Sequence, residues 1–307
     1  MKQKMIILMA LVCVLCACGN PDSQNFTEAD AKGENSDSAF EMVQAESQTI
    51  AEEETKITFE EANILSFELI NRDNESYDEI IATYSVLNNG SVAVDYFSVD
   101  FAYLDKDGNK ICDDGRYNDC QIDSGKSARM ISYSYLDDEY SKSNINSIEV
   151  TSYDYRIGDT TYEVDLQLKT VEEYTYEMVN DADFDSSNII VFELEDKGIS
   201  SIGSYEVHCK AINNGRQNIK YISFDMGYFD EDGNLLDKDG RYNDDLVKPG
   251  NFATMKSFMM DEEYSHLVGG FGIYSYEYEL VEDDDNGFNR YEINLQTKTV
   301  EASHVDN

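Results

Sequence analysis

Thr151-Ser152-Tyr153-Asp154-Tyr155-Arg156-Ile157 places its large apolar and aromatic side chains at every second position, and Tyr274-Ser275-Tyr276-Glu277-Tyr278-Glu279-Leu280 does the same further along. A period of two sends alternate side chains to opposite faces of an extended segment, so both stretches read as strands with one face turned to a core. Similar segments lie at 64–70, 80–87, 96–104, 128–135 and 162–168. Between them stand clusters that favour chain reversal: Asn88-Asn89-Gly90, Asp105-Lys106-Asp107-Gly108-Asn109, Asp123-Ser124-Gly125 and Ile157-Gly158-Asp159. Gly and Asn tolerate positive φ, and Asp and Ser bond their own backbone, which is why such clusters mark turns. About seven strands in roughly 110 residues, with no useful helix-period segment, predict an all-β fold of immunoglobulin-like antiparallel sandwich type, a small barrel being the alternative.

The chain contains this unit twice. NILSFEL, beginning at Asn63, returns as NIIVFEL at Asn188, and DGRYND at Asp114 returns at Asp239, both displaced by 125 residues. A repeat this long is a domain rather than a solenoid unit. Copy one is expected over 57–172 and copy two over 182–301, with a short acidic join at 173–181 and a tail at 302–307. The displacement drops to 124 at Tyr140/Tyr264 and 123 at Tyr153/Tyr276, then reaches 129 at Leu166/Leu295. The largest insertion, EDDDNG at 282–287, therefore reads as a surface turn.

Residues 1–17 read as a leader: Lys2 and Lys4 precede an apolar stretch at 5–17, too short for the ~20 residues a membrane-spanning helix needs. Leu15-Cys16-Ala17-Cys18-Gly19 resembles the lipobox of bacterial lipoproteins, which implies cleavage before Cys18, acylation of its thiol and a location on the extracytoplasmic face of the cell membrane. An ordinary secretory signal is the alternative. The segment 18–56, acidic and without sustained period, reads as a disordered, self-repelling tether.

Acidic side chains number 63 against 23 basic ones, a formal charge of −40; without Lys2 and Lys4 it is −42. Such a surface repels phosphate, which excludes nucleic acid and anionic headgroups as partners and favours cations, basic partners and solubility.

Val86-Leu87-Asn88-Asn89-Gly90, Phe101-Ala102-Tyr103-Leu104-Asp105-Lys106-Asp107-Gly108-Asn109 and Asp123-Ser124-Gly125-Lys126-Ser127 resemble the FxLYD-type β-sandwich domains of bacterial surface lipoproteins. Copy two matches with Ile212-Asn213-Asn214-Gly215, Met226-Gly227-Tyr228-Phe229-Asp230-Glu231-Asp232-Gly233-Asn234 and Lys248-Pro249-Gly250, though both copies depart from the Leu-Tyr-Asp order. The resemblance implies an extracytoplasmic binding or accessory module and transfers no catalytic residue.

The residues themselves offer several candidate sites. The three histidines, His208, His266 and His304, are not duplicated, and no G-x-S-x-G or H-E-x-x-H pattern occurs, so no catalytic residue is assigned and an enzyme is not expected. Asp105, Asp107 and Asn109, with Asp230, Asp232 and Asn234 in copy two, gather hard oxygens of the kind calcium takes. Asp-x-Asp-Gly-Asn is equally a hairpin sequence. DGRYND could present Arg116, Tyr117, Arg241 and Tyr242 as a recognition loop, or keep them for structure. Cys112 and Cys120 bracket it in copy one, where copy two has Asp237 and Asp245, and are candidates for a disulfide that would stabilise by roughly 2.5 kcal/mol. Cys209 is expected in the core. The alternating tyrosines Tyr133, Tyr135, Tyr153, Tyr155, Tyr274, Tyr276 and Tyr278 could line a glycan-binding face or pack inside. These readings predict a lipid-anchored, non-enzymatic binding, adhesion or assembly module, with a calcium-stabilised adhesin and a glycan- or wall-binding accessory protein as alternatives; its partner would be a surface protein or glycan.

Overall fold

The computed structural model describes residues 56–73, 79–134, 142–175, 182–281 and 287–306. The expected leader, the lipidation site Cys18, nearly all of the tether, Tyr135, most of the join and residues 282–286 lie outside them. Glu54 to Asn307 forms one compact unit.

Among the described residues each copy has eight strands, where about seven are expected. In copy one they are β1 (Leu65–Asp73), β2 (Ile81–Asn88), β3 (Tyr96–Leu104), β4 (Lys110–Asn118), β5 (Ser127–Tyr133), β6 (Ser147–Ile157), β7 (Thr160–Asp165) and β8 (Thr170–Thr175). Copy two repeats them as β9 (Ile190–Ile199), β10 (Tyr205–Asn213), β11 (Ile219–Phe229), β12 (Leu235–Asn243), β13 (Phe252–Met259), β14 (Gly270–Val281), β15 (Gly287–Asn294) and β16 (Thr299–Asp306). One helical turn opens each copy, α1 (Phe59–Ala62) and α2 (Phe184–Ser187), and α3 (Glu262–Ser265) follows β13. The α1 turn is closed by a capping box, the Glu61 carboxylate accepting from the Thr58 amide at 2.9 Å.

In copy one the sheet β1-β2-β5 faces the sheet β4-β3-β6-β7-β8; in copy two β9-β10-β13 faces β12-β11-β14-β15-β16. Pairing within each copy is antiparallel, so each copy is a β-sandwich. β14 and β15 pair out to Val281↔Phe288; the turn expected at EDDDNG lies, but for Gly287, outside the described residues.

The unforeseen β4 and β12 hold the DGRYND segments. β4 zips onto β3 from Phe97↔Asn118 to Leu104↔Lys110, with both its faces carrying mostly polar residues, so it has no apolar period to read. DGRYND is therefore strand as far as Asn118 in copy one and Asn243 in copy two, rather than a recognition loop. The disulfide fails for the same reason. Six residues of extended strand put Cys112 about 20 Å from Asn118. The next two residues cannot return Cys120 to the roughly 4.4–6.8 Å Cα separation a disulfide spans. Cys112 and Cys120 are accordingly not bonded to each other.

The alternating tyrosines form the cores. Tyr153, Tyr155, Tyr274, Tyr276 and Tyr278 are all buried, which removes them as a glycan-binding face. Their hydroxyls find partners at the sandwich margin: Tyr153 donates to Asn63 Oδ1 at 2.8 Å, and Tyr276 to Asn188 Oδ1 at 2.7 Å. Tyr103 and Ser132 share a hydrogen bond of 2.6 Å, as do Tyr228 and Ser257. The repeated Asn-Asn-Gly is also more than a turn. Asn88 is fully buried, its Nδ2 donating to the carbonyls of Val92 and Ile122 while its Oδ1 accepts from the Gly90 amide. Asn213 makes the same three bonds, to Gln217, Val247 and Gly215. One side chain thus bonds three backbone groups of the loop crossing, including the Ile122 and Val247 carbonyls that also accept from the Val94 and Ile219 amides.

The two sandwiches are joined. β12 of copy two meets β5 of copy one in a parallel bridge, Leu235↔Ala128, so one eight-stranded sheet runs β1-β2-β5-β12-β11-β14-β15-β16 through both copies. Leu235 and Tyr274, from copy two, pack in the core of copy one.

Candidate functional site

The Asp-x-Asp-Gly-Asn turns use their own oxygens. Asp105 accepts from the amides of Asp107 and Asn109, both at 2.8 Å, and from Asn109 Nδ2 at 3.0 Å. Asp230 accepts the matching set at 2.9, 2.8 and 2.9 Å. Gly108 and Gly233 supply the left-handed φ of 83° and 85° that closes each hairpin. The Asn109 side chain, with the amides behind it, holds the Asp105 carboxyl below its usual range. Burial pushes Asp230 upward, but the Asn234 bonds outweigh it and the net shift is again downward. N–H donors thus point where a cation would have to sit. Among the described residues no group of three or more His, Cys, Asp or Glu is placed to hold a metal ion.

DGRYND divides its side chains between two tasks. Asp114, on β4, accepts from Arg116 Nε at 2.8 Å and from the Tyr133 amide on β5 at 2.9 Å, linking the two sheets of copy one across their open side. Asp239 does the same with Arg241 Nε at 2.7 Å, Ser257 Oγ at 2.8 Å and the Phe258 amide at 3.0 Å. The guanidinium of Arg116 lies 4.7 Å from the Tyr133 ring, and that of Arg241 lies 4.1 Å from Phe258. The arginines are thus tied to structure. The tyrosines point outward, Tyr117 stacked on Tyr96 and Tyr242 on Tyr221.

What distinguishes the copies is the way one docks on the other. Lys238 on β12 is ion-paired with Asp119 and lies 4.6 Å from the Tyr117 ring. The Tyr274 hydroxyl donates to Asp119 at 3.0 Å, the Gln121 amide to Gln296 Oε1 at 2.9 Å, and the Ser127 amide to Asn234 Oδ1 at 3.0 Å. Lys126 bonds the Asp232 carbonyl, and Arg129 pairs with Asp261 while its guanidinium lies 4.1 Å from the Tyr264 ring. A cleft of about 420 Å³ along this seam is lined by Arg116, Arg129, Lys238 and Asp237, with Leu235 and Tyr117. Each of its three cations is matched by a carboxylate, so it offers no net charge to an anion.

The contact is head to tail: the outer face around β12 of copy two meets the loop-and-edge end of copy one. It therefore leaves two unmatched surfaces. In copy one, the equivalent of the β12 face is an open groove of about 820 Å³ lined by Asp100, Asp113, Asp114, Glu149, Thr151 and Lys110. In copy two, the equivalent of the covered end carries Tyr242, Asp244, Leu246 and Phe252, all exposed. Sequence reasoning missed this interface. Its signal was present where the copies differ: Lys110 against Leu235, Asp113 against Lys238 and Thr151 against Tyr274.

No family profile and no curated protein matches the chain. Among solved structures it is similar over 79% of its length to red sea bream transglutaminase, at 7% identity and a TM-score of 0.22, spanning 31% of that chain. A similarity to an exo-chitosanase of Amycolatopsis orientalis covers 79% of this chain and 26% of that one, at 11% identity and a TM-score of 0.19. A DUF4785 family protein of Legionella pneumophila is matched over 79% and 57%, at 10% identity and a TM-score of 0.18.

Proposed function

We propose that the chain is a lipid-anchored, extracytoplasmic, non-enzymatic module for binding, adhesion or assembly, akin to the FxLYD-type domains of surface lipoproteins. The observation that carries this reading is the head-to-tail docking of two sandwiches, which leaves an acidic groove on one and an aromatic end on the other. Both surfaces belong to positions whose counterparts already hold another protein surface. The Cys18 lipid and the acidic tether would carry these surfaces away from the membrane, two acyl chains giving stable anchorage.

A photo-crosslinking residue placed at Asp113 or at Tyr242, on intact cells, tests the reading against a control at exposed Glu172. Adducts confined to the first two positions support it; the same adducts from all three refute it. Cys18→Ser should release the chain into the medium, and retention with the membrane fraction would overturn the anchor.

A further inference from the structure

DGRYND occurs twice with the same six residues, and its two copies meet different surroundings. In copy one the segment is occupied: the Lys238 ammonium is held between the Tyr117 ring, 4.6 Å away, and the Asp119 carboxylate. In copy two Tyr242 and Asp244 stand at the equivalent positions. Asp244 is exposed where Asp119 is half-buried, while Tyr242, 68% exposed, differs little from Tyr117 at 61%, whose ring Lys238 meets without covering it. The rings are held alike, Tyr117 stacked on Tyr96 at 6.3 Å and 18° and Tyr242 on Tyr221 at 6.1 Å and 19°.

The surroundings of the open pair are also those of an interface. Leu246 and Phe252, exposed at 53% and 52%, replace Gln121 and Ser127, whose amides bond the docked copy. Tyr242 and Leu246 flank the exposed carboxylates of Asp244 and Asp245 along the chain, and Phe252, whose ring the Lys210 ammonium meets at 4.8 Å, opens β13; apolar side chains with anionic points among them suit an apolar surface that carries a cation.

We propose that this end of copy two docks the β-sandwich edge of a second, non-identical protein, whose lysine ammonium sits between the Tyr242 ring and the Asp244 carboxylate as Lys238 sits on copy one. The inference rests on the binding-module reading and names one of its partners by chemistry. Another molecule of this chain does not fit. Its free face would bring Asp113 to Asp244 where Lys238 meets Asp119, Lys110 where Leu235 is buried, and Thr151 where Tyr274 bonds Asp119. Two like charges replace an ion pair and a charge replaces a core leucine, so the array stops at two copies.

The chain itself supplies the probe. Lys110→Leu, Asp113→Lys and Thr151→Tyr together give copy one the face of copy two, while the end under test is unchanged. Sedimentation should find the natural chain monomeric and the face-exchanged chain at least doubled in weight-average mass, rising further with concentration because a head-to-tail contact does not close. Adding Tyr242→Ala and Asp244→Asn should return it to the monomer. A folded, face-exchanged chain that stays monomeric overturns the proposal but leaves the binding-module reading standing on the groove of copy one. Should the triple exchange fail to fold, titration of the natural chain with tetralysine decides: Tyr242→Ala with Asp244→Asn should remove the tightest class of sites, and an unchanged isotherm overturns the proposal.

Discussion

Leu235→Ala is the substitution whose effect should fall in the wrong half of the sequence. Leu235 belongs to copy two, yet it is 3% exposed and packs in the core of copy one beside Ala128 and Met130. Truncating a buried leucine removes its transfer free energy and leaves a partly collapsed cavity, together about 2–4 kcal/mol. That corresponds to a roughly 30- to 700-fold rise in the equilibrium for opening the structure it supports. Hydrogen exchange read by mass spectrometry reports the two copies separately. Peptides from β2 and β5 should lose protection by this factor, while those from β10 and β13, on the far side of copy two, should change little. Leu236→Ala is the internal control: its side chain turns into copy two's own core, and its loss of protection should fall there. Loss of protection confined to copy two in the Leu235 variant would refute the shared core.

Asp114→Ala should cost about 2–3 kcal/mol in denaturant unfolding, because it deprives both Arg116 and the Tyr133 amide of a charged acceptor; Asp113→Ala next to it, exposed, should cost under about 0.5 kcal/mol. Calcium should leave the thermal midpoint where a chelator leaves it, since amide donors already fill Asp105 and Asp230; a rise of several degrees would restore the metal reading. Alkylation of the unreduced native protein should leave Cys120 and Cys209 unlabelled, their thiols pushed by burial up to about 12 and about 11, while denatured unreduced protein should take label at Cys112, Cys120 and Cys209; a Cys112–Cys120 bridge would block two of the three. Acidification should first stabilise the fold. Burial raises the carboxyls of Asp225 and Glu292 above their ordinary values, so their stabilising contribution is complete below the ordinary carboxylate range and is lost as pH rises through the raised values. The thermal midpoint should therefore climb as pH falls from neutrality toward the ordinary carboxylate range, and Asp225→Asn should flatten that slope. The lowered carboxyls of Asp105 and Asp230 act oppositely, and only as pH falls below the ordinary range.

The strands that sequence alone made legible are those with one apolar face. Tyr153 and Tyr155, or Tyr276 and Tyr278, fix both the period and the buried side, and the structure puts all four in the cores. β4 and β12 escaped because a strand whose faces carry mostly Asp, Gly, Arg, Lys and Asn has no hydrophobic period; it is held by its ladder to β3 or β11 and by one carboxylate that ties it to the facing sheet. Reading that strand as a loop then generated the disulfide and the recognition loop. The interface lay out of reach for another reason. It depends on which of two homologous faces is covered, and only differences between the copies, such as the charge reversal at Asp113 and Lys238, record that choice.

Zero-length carbodiimide coupling of the monomer, read by peptide mass spectrometry, tests the head-to-tail docking most directly. It joins only amines and carboxylates already in contact, and Lys256 with Glu206, 2.7 Å apart within copy two, serves as the internal control. The account predicts an intrachain amide between Lys238 and Asp119, lost in Asp119→Asn and insensitive to dilution. Coupling of Lys256 to Glu206 without any Lys238–Asp119 product would contradict the docked arrangement of the two sandwiches.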